Sequence, residues 1–219
     1  KRQYKSLRKY VTEAPADPKT VLADAASSED EEGDGSEVAA PMTRIDLASL
    51  QGINNDAVGW IEIPDTSVSY PLVHTTDNTY YLTHTFDNKT NRSGSIFVEA
   101  SNAADFSDLH TIIYGHNMKN GSMFGHLKKF TEDEKLYNND RYFWILTPDK
   151  NYRYEIISAY TTGVNSDTYT LFKGPGEEFE EYLQKIKSYS DIKTEDTELT
   201  IKDKICLLYT SPSPRDLST

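Results

Sequence analysis

Five histidines, His74, His84, His110, His116 and His126, and a single cysteine, Cys206, are the side chains best suited to proton transfer or nucleophilic chemistry. One thiol cannot form an internal disulfide or a Cys-rich zinc site. None of the histidines forms the His-x-x-x-His spacing that would hold a metal on one helix face. His74, His84, His110 and His126 read as surface or hydrogen-bonding side chains. His116 has a different setting, because it closes the apolar run Ile112-Ile113-Tyr114, follows Gly115 and precedes Asn117. An imidazole at a strand end, behind a glycine that lets the backbone turn, faces a cleft rather than a core and can there move a proton. On spacing alone, that role and a purely structural one both stay open. There is no Gly-x-Ser-x-Gly elbow, no phosphate loop and no Gly-x-Gly-x-x-Gly fingerprint. No carboxylate pair stands out above the acidic background.

The elements that must position His116 are mostly short strands. Ile45, Leu47, Leu50 and Ile53 predict a short leading helix, and Asn54-Asn55-Asp56 a turn. Val58 to Pro64 and Val68 to Val73 read as strands around a Pro64-Asp65 turn, and Ser95 to Glu99 and Thr111 to Tyr114 as short buried strands. Met123, Leu127 and Phe130 have the spacing of a short helix. Tyr142 to Leu146 and Tyr152 to Tyr160 flank a loop and predict a hairpin. Phe179, Tyr182, Leu183 and Ile186 line one face of a helix over 177–189, with Glu177, Glu178, Glu180 and Glu181 at its dipole-favoured end. Leu199 to Ile205 predicts a further strand. The pattern is mainly β, a barrel or sandwich carrying helical insertions.

The first 44 residues differ. Lys1, Arg2, Lys5, Arg8 and Lys9 suit a short basic helix beside a membrane, or a solvated tail. Residues 24–40 are acidic and low in complexity and are expected to form a disordered linker. The globular domain is expected over 45–205. The net charge of -12, from 23 basic and 35 acidic residues, repels phosphate backbones and argues against nucleic-acid binding. No apolar run of about 18 residues occurs, and no signal peptide is visible; a chain starting at Lys1 leaves room for a missing upstream segment.

The segment Tyr114-Gly115-His116-Asn117-Met118-Lys119-Asn120-Gly121-Ser122-Met123-Phe124 resembles the histidine motif of class B sortases. Val58-Gly59-Trp60-Ile61, Ile63-Pro64, Tyr70-Pro71-Leu72-Val73, Asp77-Asn78, Tyr80-Tyr81-Leu82 and Gly94-Ser95-Ile96-Phe97 follow in that family's order. The likeness spans roughly residues 45–205, and the 177–189 helix fits the insertion that class B members carry before the nucleophile strand. It implies a sortase-type closed β-barrel of eight strands with an N-terminal helix. It also implies a cysteine transpeptidase whose Cys, His and Arg exchange one amide for another through a thioester acyl-enzyme. His116 matches the family's histidine, which protonates the leaving amine, and Tyr114 would lie beside the sorting peptide. The implied partners are a secreted protein bearing a sorting motif and an amine of the cell-wall precursor. The implied location is the outer face of a Gram-positive plasma membrane, with an anchor upstream of residue 1 and residues 1–44 as tether. No cofactor or metal is implied. The competing readings are a non-catalytic cell-surface barrel that binds a peptide or ligand, and a pilin-polymerising sortase. The latter is disfavoured by the helix before the last strand.

The chain departs from the family at its end. Aligned on Ile205, the nucleophile position falls on Ser211 rather than Cys206, and Arg215 comes too early, just after Pro212 and Pro214, which cannot sustain a central strand. Cys206-Leu207-Leu208-Tyr209-Thr210-Ser211-Pro212-Ser213-Pro214-Arg215-Asp216 resembles the translation of a transposon-end sequencing adapter. On that expectation 206–219 is a non-native tail, and the nucleophile, the arginine and the last strand are missing. The chain as written is then inactive and poorly stable, and Cys206 is the nucleophile only under a register shift.

Overall fold

The computed structural model describes residues 2–13, 43–139, 141–194 and 197–211. Helix α1 (Arg2–Leu7) and strand β1 (Val11–Glu13) lead the chain. They are followed by β2 (Thr43–Ile45), α2 (Leu47–Gln51), β3 (Ala57–Glu62), β4 (Ser69–His74), β5 (Ile96–Val98) and β6 (His110–His116). After these come α3 (Lys129–Glu132), α4 (Glu134–Asn139), β7 (Tyr142–Leu146), β8 (Asn151–Glu155), α5 (Glu177–Ser188) and β9 (Ile205–Ser211). The order of strands in the main sheet is β8-β7-β3-β4-β5-β6-β9, and β1 pairs with β2 in a separate two-stranded strap. Both end strands, β8 and β9, line one cavity of about 510 Å³, so the sheet curls into a barrel whose ends face each other across a gap.

The central strands are buried on both faces, which explains their near-continuous apolar runs: Trp60, Ile61, Leu72, Val73 and Ile96 are all fully buried. In β3, a Cβ at position 59 would lie 2.9 Å from the Leu146 carbonyl, so glycine lets β7 approach at the bulge between Ala57 and Gly59. Below β6, α5 buries Phe179, Tyr182 and Leu183 in a satellite core with Phe172, Leu199 and Ile205. Acidic residues occupy its first turn and Lys185 and Lys187 its last, as the helix dipole favours.

Several expectations shift. The basic N-terminal segment packs on the barrel through Tyr4 and Leu7. Leu7 is 5% exposed, the Tyr4 hydroxyl donates to the Gly94 carbonyl at 3.0 Å, and its ring meets Tyr70 edge-on. Glu13 and Thr43 are register partners in the strap, so the chain leaves and rejoins the barrel at adjacent points. The linker expected over 24–40 lies outside the described residues. The predicted Met123–Phe130 helix shrinks to α3, because Met123 takes a left-handed backbone (φ 52°) and bridges Asn117. Strand β8 stops at Glu155, with Ile156 to Tyr160 lining the cavity instead. The strand expected over 199–205 begins only at Ile205, since the Asp203 carboxylate accepts from the Thr200 N–H and hydroxyl and folds a turn.

Candidate active site

Strand β6 alternates between a barrel face and an outer face. Ile113 joins the main core, whereas Tyr114 packs on the second core cluster with Phe97. Gly115 stays in the strand, and a Cβ there would fall 2.6 Å from the Phe124 ring. The glycine therefore serves a close contact, not the turn that the sequence suggested. Phe124, fully buried, sits against the strand and its N–H donates to the His116 carbonyl at 3.1 Å.

His116 lies at the end of β6, only 4% exposed, where an open cleft was expected. It is not surrounded by apolar groups alone: Nε2 is 2.7 Å from the Leu82 carbonyl, in the 3-10 turn Tyr80–Leu82. A carbonyl oxygen only accepts, so Nε2 carries the proton of this hydrogen bond. The turn is anchored by Tyr81, whose hydroxyl donates to Asp56 and accepts from the Asn54 amide, both at 2.7 Å.

Tyr114 is half-buried, and its hydroxyl donates to Glu99 Oε2 at 2.6 Å. Burial, with the Glu99 carboxylate beside it, pushes the phenol well above its ordinary range. Glu99 is raised by burial, but hydrogen bonds from Tyr114, Asn78 and Ser101 outweigh that and hold its carboxyl below the usual range. Neither Glu99 nor the Leu82 carbonyl was singled out from the sequence. The available signal was a carboxylate placed directly after the buried run Ile96-Phe97-Val98.

Strand β9 runs parallel to β6, and its register sets Ser211 opposite His116 and Cys206 opposite Thr111. At about 3.3 Å per residue, the five positions from Thr111 to His116 amount to roughly 16 Å. Cys206 packs against the main core, and burial drives its thiol far above the ordinary range, which suppresses the reactive thiolate. The register thus brings His116 to position 211 and leaves Cys206 remote. Arg215 lies outside the described residues. Among the described residues no group of three or more His, Cys, Asp or Glu could hold a metal.

The sortase domain model matches residues 61–201, which places this barrel among the cysteine transpeptidases of that name. Sortase B of Listeria monocytogenes is 38% identical over 177 residues, covering 79% of this chain and 70% of that protein. The crystal structure of sortase B from Bacillus anthracis in complex with AAEK1 is 39% identical with a TM-score of 0.68, covering 75% of this chain and 77% of that one. A Staphylococcus aureus sortase B-substrate complex is 29% identical with a TM-score of 0.71, covering 77% of each chain. The chain belongs to the class B branch of the sortase family. Among the described residues, a seven-stranded, incompletely closed barrel and the helix before β9 are its version of that fold.

Proposed function

We propose that this barrel is the acyl-transfer scaffold of a transpeptidase that cleaves a C-terminal sorting motif of secreted proteins and joins them to cell-wall peptidoglycan. Its site of action is the outer face of a Gram-positive plasma membrane, to which an anchor upstream of residue 1 holds it. His116 is the general acid–base. It takes the proton from a thiol, gives it to the leaving amine, and reverses both roles when the cell-wall amine resolves the thioester. Tyr114 lies against the sorting peptide; with its hydroxyl committed to Glu99, it offers the peptide its ring.

The nucleophile's station is position 211. The observation that carries this is the parallel register of β6 and β9, which opposes Ser211 to His116. A serine hydroxyl stays protonated where a thiol would ionise, so thioester chemistry is lost with Ser211 in place. We read residues 206–219 as a non-native tail over which the family's cysteine and arginine have been replaced. Support comes from Ser211 at the nucleophile's register position and from the likeness of that segment to a translated adapter.

Mass spectrometry after incubation with a sorting peptide tests the reading. The parent chain should form no thioester adduct, S211C should form one slowly, and S211C combined with H116A should form none. An adduct on Cys206 of the parent chain would overturn it.

A further inference from the structure

We infer that Glu99 is a positioning residue that fixes which nitrogen of His116 carries the proton, by bracing the segment that holds the Leu82 carbonyl against the strand that holds the imidazole. This inference rests on the role given to His116 above.

Two chain segments meet at the His116 ring. One is β6 itself, and the other is the 77–82 segment that ends in the Leu82 carbonyl, 2.7 Å from Nε2. Glu99 accepts from both. Its Oε2 takes the Tyr114 hydroxyl at 2.6 Å, and Tyr114 stands two residues before His116. Its Oε1 takes the Asn78 amide at 2.7 Å, together with the Ser101 N–H at 3.3 Å and hydroxyl at 3.2 Å. Asn78 is fixed from its other end, because its Oδ1 accepts the Ala100 N–H at 2.8 Å. Next to it, Asp77 Oδ1 accepts the Thr79 and Tyr80 N–H groups at 2.7 and 2.8 Å, which starts the turn carrying Leu82. The backbone of Glu99 is itself sheet-bonded, its N–H donating to the Ile112 carbonyl at 2.9 Å. The carboxylate therefore stands on the β5–β6 pair and reaches across to the turn.

A carboxylate suits this position because it offers two acceptor oxygens to two donors on different segments. Charge-assisted hydrogen bonds of this kind are roughly twice as strong as neutral ones. Removing it cuts the link from β6 to the leading end of the turn and leaves Asn78 held through Ala100, while Tyr81 keeps the turn folded through Asn54 and Asp56. The Leu82 carbonyl is then less firmly aimed at Nε2, and the bond that holds the proton there weakens as its geometry departs from linear.

Long-range 1H–15N NMR of the His116 imidazole in the full chain is the test, because it reports the protonated nitrogen whether or not the protein has peptide activity. The parent chain should show a single Nε2–H neutral form. Both E99A and N78A should show the two neutral tautomers in exchange, with N78A cutting the brace on the turn side only. Should E99A fail to fold, N78A and E99Q carry the same expectation. An Nε2–H form unchanged in the folded variants, with only the melting temperature lowered, would reduce Glu99 to a stabilising residue and overturn the inference. A tautomer shift in N78A alongside S211C adduct formation that is indifferent to H116A would instead uphold the brace and overturn the role proposed for His116.

Discussion

At the residue scale, two contacts beside the candidate catalytic strand carry measurable consequences. His110, at the start of β6, is fully buried against Phe172 and Tyr182. Among the described residues, neither of its ring nitrogens has a hydrogen-bond partner. Burial lowers its pKa from 6.5 to about 4. The unfolded chain then binds a proton at a pH where the folded one does not. The stability held above pH 6.5 is lost as pH falls toward 4, on the order of 3 kcal/mol in all. Chemical denaturation from pH 7 to 4 should show this loss in the parent chain and a distinctly smaller one in H110F, which keeps the aromatic packing. Equal losses would show that acid acts elsewhere. Gly115 is the other contact. Its substitution by alanine sets a methyl 2.6 Å from the Phe124 ring, and the overpacking should cost about 1–3 kcal/mol in the same experiment. Because Phe124 bonds the His116 carbonyl, G115A should also disturb the His116 imidazole resonances.

At the element scale, the strap of β1 and β2 fixes where the chain leaves and rejoins the barrel. Glu13 and Thr43 face each other, and α1 is pinned by Leu7 and Tyr4, so β1 and β2 bring the two ends of the 14–42 segment to adjacent points on the barrel. Replacing 14–42 with an Asn-Gly turn should keep α1 docked. It should also raise stability by about 2 kcal/mol, through the smaller closure entropy of a short loop compared with roughly thirty residues. Loss of the Tyr4–Tyr70 contact, read as exposure of Tyr4 to chemical modification, would count against the strap. The sequence told much of this scale where burial is simple. Tyr142 to Leu146 and the 177–188 helix were legible because an apolar run and a 3.6-residue stripe each have one reading. The strap was not legible, since three-residue strands far apart in the chain leave no periodic signal. The end of β8 and the start of β9 were misplaced for a related reason. Ile156 to Tyr160 face a cavity rather than a partner strand, and the turn at Thr200 to Asp203 rests on one carboxylate among many. At the candidate site, His116 stood out through its neighbours in the chain, whereas Glu99 and the Leu82 carbonyl matter only through contacts made in space.

At the scale of the whole molecule, strand direction defines the gap. Following the pairings around the sheet, β8 and β9 run the same way. A single further strand could therefore pair antiparallel with both, which matches the eighth strand that the family resemblance implied. The cavity of about 510 Å³ between them is lined by Ile63, Phe143 and Leu208 from the barrel side, and by Asn117 and Thr210 beside the candidate site. Core and chemistry thus meet at the same end of the barrel. The central claim is that His116 and position 211 form an acid–base and nucleophile pair across β6 and β9. The most direct measurement is the pH dependence of iodoacetamide alkylation at a cysteine placed by S211C in a C206A background, with and without H116A. A thiol titrating below the ordinary value of about 8.5 with His116 present, and returning to it in H116A, is the predicted result. An identical titration in both backgrounds would contradict the pairing.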